Sequence, residues 1–132
     1  MINFKLPDGV VQLTTVEDVE QAWGDLLTYE TGDEAEPKAV RFADNPRVAI
    51  AADAVYVKLR RPLKAGPQME LTDVLEIKEP NVGHLRLTDK YKGEMEKAIC
   101  LLTSICAIPN AEINYMAGSD MALCGEVVNA FL

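Results

Sequence analysis

The hydrophobic pattern of this chain changes period once along its length, and that change sets the fold class. Val55, Val57 and Leu59 alternate with Tyr56, Lys58 and Arg60, the spacing of two that a β-strand needs to present one set of side chains on each face. From Met95 the spacing is helical. Met95, Ala98, Ile99, Leu102, Ile105 and Cys106 recur at i, i+3, i+4 and i+7, a single apolar stripe on an α-helix. Strand patterns that come first and helical patterns that come after predict an α+β fold, with small antiparallel β elements followed by a helical C-terminal part.

Local signals divide the 132 residues further. Ile2, Phe4 and Leu6, then Val11 and Leu13, alternate around Pro7-Asp8-Gly9 and predict a β-hairpin closed by a primed turn. Thr14 and Glu17 have capping-box spacing and predict a helix over about 17–28. Its apolar face would carry Val19, Ala22, Trp23, Leu26 and Leu27. Trp23 is either the packing anchor of this ββα unit or an aromatic offered to a partner. The run Glu30-Thr-Gly-Asp-Glu-Ala-Glu36 reads as an exposed connector. Val40/Phe42 and Val48/Ile50 form short strands around the turn residues Asp44-Asn45-Pro46. Residues 1–28 thus form an N-terminal ββα unit, 29–54 an acidic connector with short strands, and 55–132 a β-hairpin plus helices.

In that last segment Arg61-Pro62 would end the first strand, because proline removes a ladder donor. Met69–Lys78 is the next strand, with Leu75 and Ile77 inward, and the Gly-Pro loop between the two predicts an antiparallel pair. A turn or short helix over 84–89, a helix ending at Ile108-Pro109 and a single turn over 111–116 follow. Ser119 as N-cap, with Asp120 in the first turn, opens the last helix. Cys124, Val127, Val128 and Phe131 share one of its faces.

Charge excludes some functions. The chain carries 21 acidic and 13 basic residues, a formal net charge of −8. That opposes any main task of gripping nucleic acid, which relies on Lys and Arg displacing counterions from phosphates. Residues 1–54 hold 11 acids against 4 bases, whereas 55–132 hold 10 against 9. The acidity therefore belongs to the N-terminal part. Apolar runs such as Val48–Ala52 and Ala98–Leu102 are far short of the roughly 20 residues that cross a bilayer, so no membrane role is expected. The N-terminus has no basic segment followed by an apolar one, as a signal peptide would.

Chemistry-bearing motifs are sparse. Cys100 and Cys106 lie six apart on a helix, on different sides. His84 is the single histidine, so no metal site is expected. Cys100, Cys106 and Cys124 read as reduced core residues rather than a disulfide framework. Glycine-rich phosphate loops are absent, no cofactor is implied, and the reading is non-enzymatic. Lys58, Arg60, Arg61 and Lys64 make one local reversal of charge. They suit either an acidic partner, including this chain's own acidic connector or a neighbouring copy's, or a charged strand face that discourages edge pairing.

Three segments carry a resemblance. A strand ends in Leu75-Glu-Ile-Lys-Glu-Pro80. A leucine-rich helix runs into an Ile-Pro break, Leu101 to Pro109. A closing helix reads Ser119-Asp-Met-Ala-Leu-Cys-Gly-Glu-Val-Val-Asn-Ala-Phe-Leu132. Over residues 55–132 the chain resembles the tail assembly chaperones of contractile-tailed bacteriophages and related prophages. The resemblance implies a non-enzymatic protein of the host bacterial cytoplasm that coats the hydrophobic tape measure protein before the tail tube polymerises. It also implies a homo-oligomer, a possible contact with the tail tube protein, and a frameshifted longer form. The expected client-binding residues are Leu102, Ile105, Val127, Val128, Phe131 and Leu132; the alternative is that these make only the protein's own core. A rival reading is a small structural tail or baseplate adaptor retained in the virion.

Overall fold

Gly24 at φ 65 and ψ −137 is where the first helix must stop, since a residue at positive φ cannot continue a right-handed helix. A computed structural model describes residues 2–30, 32 and 38–132. The α+β class holds: small antiparallel sheets, with helices mostly in the C-terminal half. The chain forms two compact units, residues 1–56 and 57–132.

In the first unit, α1 covers Val16–Trp23. The cap is Thr15, one residue after the expected Thr14: its side chain accepts from the Asp18 N–H at 3.2 Å, satisfying one of the helix's orphan donors. The helix is shorter than expected. Thr28 starts β1 (Thr28–Glu30), which pairs antiparallel with β2 (Lys38–Val40), Thr28 opposite Val40 and Glu30 opposite Lys38. The acidic run expected to be a connector lies, apart from Glu30 and Gly32, outside the described residues. Trp23 is half-buried, and its indole N–H donates to the Ala51 carbonyl at 2.7 Å.

The N-terminal hairpin does not form. A turn is present, with Val10 N–H donating to Pro7 O at 3.1 Å, and Gly9 has φ 83. Asp8 is not at positive φ, so this turn lacks the twist that primed types lend to paired strands. The flanking segments bond elsewhere: Asn3 N–H donates to Pro46 O and Leu13 N–H to Ile50 O. The Asn45 turn stands as expected, its Oδ1 accepting from Arg47 N–H at 3.0 Å, and it leads into β3 (Val48–Ile50), which is wholly buried. Ala51 to Ala54, closed by Ala51 N–H to Ala54 O, then turns the chain into Val55.

The strand that begins there, β4 (Val55–Ala65), runs through Pro62 instead of stopping at it. Its neighbour β5 covers Glu70–Ile77. Parallel strands need a crossover of a dozen or more residues, so the short connection makes this pair antiparallel. Leu75 and Ile77 are buried, as expected. Helix α2 (Val82–Leu87) runs into a single 3₁₀ turn, Thr88–Lys90. Next come α3 (Glu94–Cys106), α4 (Asn110–Ile113) and α5 (Gly118–Ala130). Helix α3 packs against α5, α2 and β5, so it is the spine of this unit. Ala117 is the cap of α5, not Ser119.

Pro62 is tolerated because the strand is distorted there. The N–H groups of Arg60 and Arg61 both point at the Asp120 carboxylate, at 3.0 and 3.1 Å. Successive residues of a regular strand aim their N–H groups to opposite sides, so two neighbours sharing one acceptor mark a bulge-like departure. Prolines are found in sheets at such places.

Candidate client-binding surface

The expected client-binding residues divide between core and surface. Leu102, Val127 and Val128 have no exposed area, and Phe131 is buried. They fill the seam between α3 and α5, where Leu101, Leu123 and Cys124 are buried as well. Ile105 is half-buried and Leu132 exposed.

Ile105 reaches the surface because α3 ends immediately after it. Ala107 adopts the left-handed conformation, φ 53 and ψ 51, and Ile108 turns back into the core. The last turn of α3 therefore stands beside β5 and leaves a groove of about 420 Å³ between them. Its apolar wall is Ile105 with Leu71 and Val74 of β5; Glu70, Glu76 and Lys78 also line it, with Lys78 ion-paired to Glu76 at 3.4 Å. Leu71 is 69% exposed. That is unusual for a leucine in a strand whose later residues are buried, and it makes the groove floor reachable.

Side chains bond the β5 backbone at two places beside the groove. Thr72 Oγ1 accepts from Val74 N–H at 3.2 Å and donates to Val74 O at 3.0 Å. The Cys106 thiol donates to Glu76 O at 3.5 Å. Burial pushes that thiol up to about 12, with help from the neighbouring Cys124 and Glu76, so it stays protonated at neutral pH.

A second apolar surface was not read from the sequence. Val82, Leu85 and Leu87 of α2 are exposed, and so is Met95 in the first turn of α3. No residue of α2 is buried. The helix is fixed by its cap: Asn81 Oδ1 accepts from His84 N–H at 2.9 Å, and His84 Nδ1 accepts from Asn81 N–H at 3.1 Å. The Val82/Leu85 spacing of three was the available signal, but six residues are too few for a periodicity. This capping bond is the role the structure gives the lone histidine. Among the described residues no three His, Cys, Asp or Glu side chains come together as metal ligands. No described helix is long and apolar enough to cross a membrane.

The profile of the family described as phage tail assembly chaperone proteins, E, or 41 or 14, matches residues 56–132. The chain belongs to that family. Its role is accordingly in phage tail assembly, and the chaperone family points to a non-enzymatic protein with phage tail proteins as partners. No curated protein and no solved structure matches the chain. The tail assembly chaperone match begins within one residue of the second unit, so the matched length and one compact unit of the fold coincide. Both apolar surfaces described above lie within it. The first unit, with the acidic excess, lies outside.

Proposed function

We propose that the second unit holds the tape measure protein, masking its apolar stripes until the tail tube polymerises around it. The observation that carries this reading is the groove between α3 and β5. It keeps Ile105 and Leu71 open to solvent in a unit whose core is already filled by Leu101, Leu102, Val127 and Val128. A long helical client with an apolar stripe would lay that stripe on such a groove. Ile105 and Leu132 are the members of the expected set that a client reaches directly; Leu102, Val127, Val128 and Phe131 support that surface from the core. In this reading the protein acts in the host bacterial cytoplasm without a cofactor. It works as a homo-oligomer, with the tail tube protein and a frameshifted longer form of itself as further partners.

Co-expression with the tape measure protein tests this. A soluble, isolable complex supports the proposal; an insoluble client with no complex overturns it. Purified tails provide the second check. A chaperone is absent from them, whereas stoichiometric presence would replace this reading with that of a structural adaptor.

A further inference from the structure

Between the buried Leu59 and Leu63, three consecutive residues of β4 are exposed: Arg60, Arg61 and Pro62. A regular strand would alternate and turn one of the two arginines inward. The buried Asp120 prevents this. By accepting both backbone N–H groups it bends the strand so that both side chains reach solvent. Lys64 extends the row, its own N–H held by Glu112 Oε2 at 3.3 Å. Arg61 is steadied by donating from its guanidinium to the Tyr115 carbonyl at 2.8 Å. The fourth basic residue of the sequence cluster, Lys58, is neutralised by an ion pair with Asp73 across the hairpin. Among the described residues no ion pair involves Arg60, Arg61 or Lys64.

We propose that this rail of Arg60, Arg61 and Lys64 is a docking surface for the acidic first unit of a second copy of the chain. Charge complementarity selects that occupant. The rail is a cationic row on the unit that is nearly neutral, while residues 1–54 carry a net −7. Glu17, Asp18, Glu30, Asp44 and Asp53 of the first unit are all exposed. Backbones pinned by carboxylates hold the three cations in place before a partner arrives, which lowers the ordering cost of association. Nucleic acid is the poorer fit. Three cations release few counterions, and a duplex offers no neutral surface to meet the rest of this acidic chain. The proposal rests on the homo-oligomer of the reading above and gives it an interface; client binding is a separate property, so either can fail without the other.

Sedimentation velocity of the full chain over a concentration series, at about 50 mM and about 500 mM salt, tests it. The expected result is self-association at low salt that weakens about ten-fold or more at high salt. Arg60→Glu with Lys64→Glu should abolish it, and the milder Arg60→Gln with Lys64→Gln should weaken it. Both leave the unfolding midpoint near wild type, because these side chains are exposed and the Asp120 bonds use only backbone. Neutralising the other side, with Glu17→Gln, Asp18→Asn and Glu30→Gln, should weaken association as well. A monomer at every concentration overturns the proposal, as does association that ignores salt or either set of substitutions. Low-salt binding of a DNA duplex that is lost in Arg60→Glu with Lys64→Glu, without self-association, would assign the rail to nucleic acid instead.

Discussion

Gly125 of α5 lies against Ala98 of α3, and a methyl group at position 125 would meet the Ala98 Cβ at 4.0 Å. That is ordinary van der Waals contact, so the seam between the two helices has room for one more carbon. Glycine inside a helix costs roughly 0.5–1 kcal/mol relative to alanine, because the unfolded chain loses more freedom on folding. Gly125→Ala should therefore raise stability by about 0.5–1 kcal/mol. A denaturant titration reads this as a higher midpoint at an unchanged slope. A lower midpoint would mean that the seam is already full.

Asp120 has no exposed area, yet it lies in the first turn of α5 and faces the distorted part of β4. Asp120→Ala would strand the Arg60 and Arg61 N–H groups without their acceptor. An orphaned buried donor costs about 1–3 kcal/mol, and bonds to a charged acceptor lie at the upper end. The expected loss is about 2–4 kcal/mol. Asp120→Asn keeps one carbonyl oxygen and should lose about half as much. If alanine and asparagine are equally mild in chemical denaturation, the clamp is not what holds α5 to β4.

The parts of this fold that the sequence disclosed share one property: their signal is local and periodic. The helix α3, the Leu75/Ile77 alternation and the Asn45 turn each follow from neighbouring residues and each stands in the structure, although Met95 of the expected α3 stripe is exposed and Leu101, outside it, is buried. The misses are tertiary. Pro62 reads locally as a strand end, but a carboxylate 60 positions away supplies the acceptor that lets β4 continue. Pro7-Asp8-Gly9 reads as a hairpin, but the flanking segments find better acceptors at Pro46 and Ile50. At the candidate site the apolar stripe named the right helix without sorting Leu102, which is buried, from Ile105, which is half open. What separates them is the left-handed Ala107, and a non-glycine residue at positive φ leaves no mark in composition.

Cys106 gives a pH prediction. Its thiol is raised from an ordinary value near 9 to about 12 by burial, followed by the charges of Cys124 and Glu76. A raised acid keeps its proton in the folded state after the unfolded chain has lost it. This contribution to stability is thus complete below about pH 9 and disappears as pH rises through about 12. Wild type should lose stability over that interval, and Cys106→Ala should lose less of it. At pH 8, alkylation of Cys106 followed by mass spectrometry should be slow in the native protein and fast in denaturant. Equal rates in the two conditions would refute the raised value of this half-buried thiol.

Ile105 and Leu102 are one helical turn apart on α3, and they separate client binding from folding. Leu102 is wholly buried, so Leu102→Ala removes a packed side chain and leaves a cavity, at a cost of about 2–5 kcal/mol. Ile105 lines the open groove. Ile105→Asp should cost less in stability, since a carboxylate there can stay hydrated, but it places a charge where an apolar stripe would dock. The expected pattern is a crossed one: Leu102→Ala lowers the unfolding midpoint yet keeps the client soluble at low temperature, while Ile105→Asp keeps the midpoint near wild type and loses the complex. Phe131→Asp belongs with the first class, because Phe131 is buried at the end of α5 and a buried unpaired charge is costly there. Pull-down of the tape measure protein and thermal unfolding, run on the same three variants, read both axes. If Ile105→Asp retains the client at wild-type level, the groove is not the binding face and the α2 surface of Val82, Leu85 and Met95 becomes the next to test.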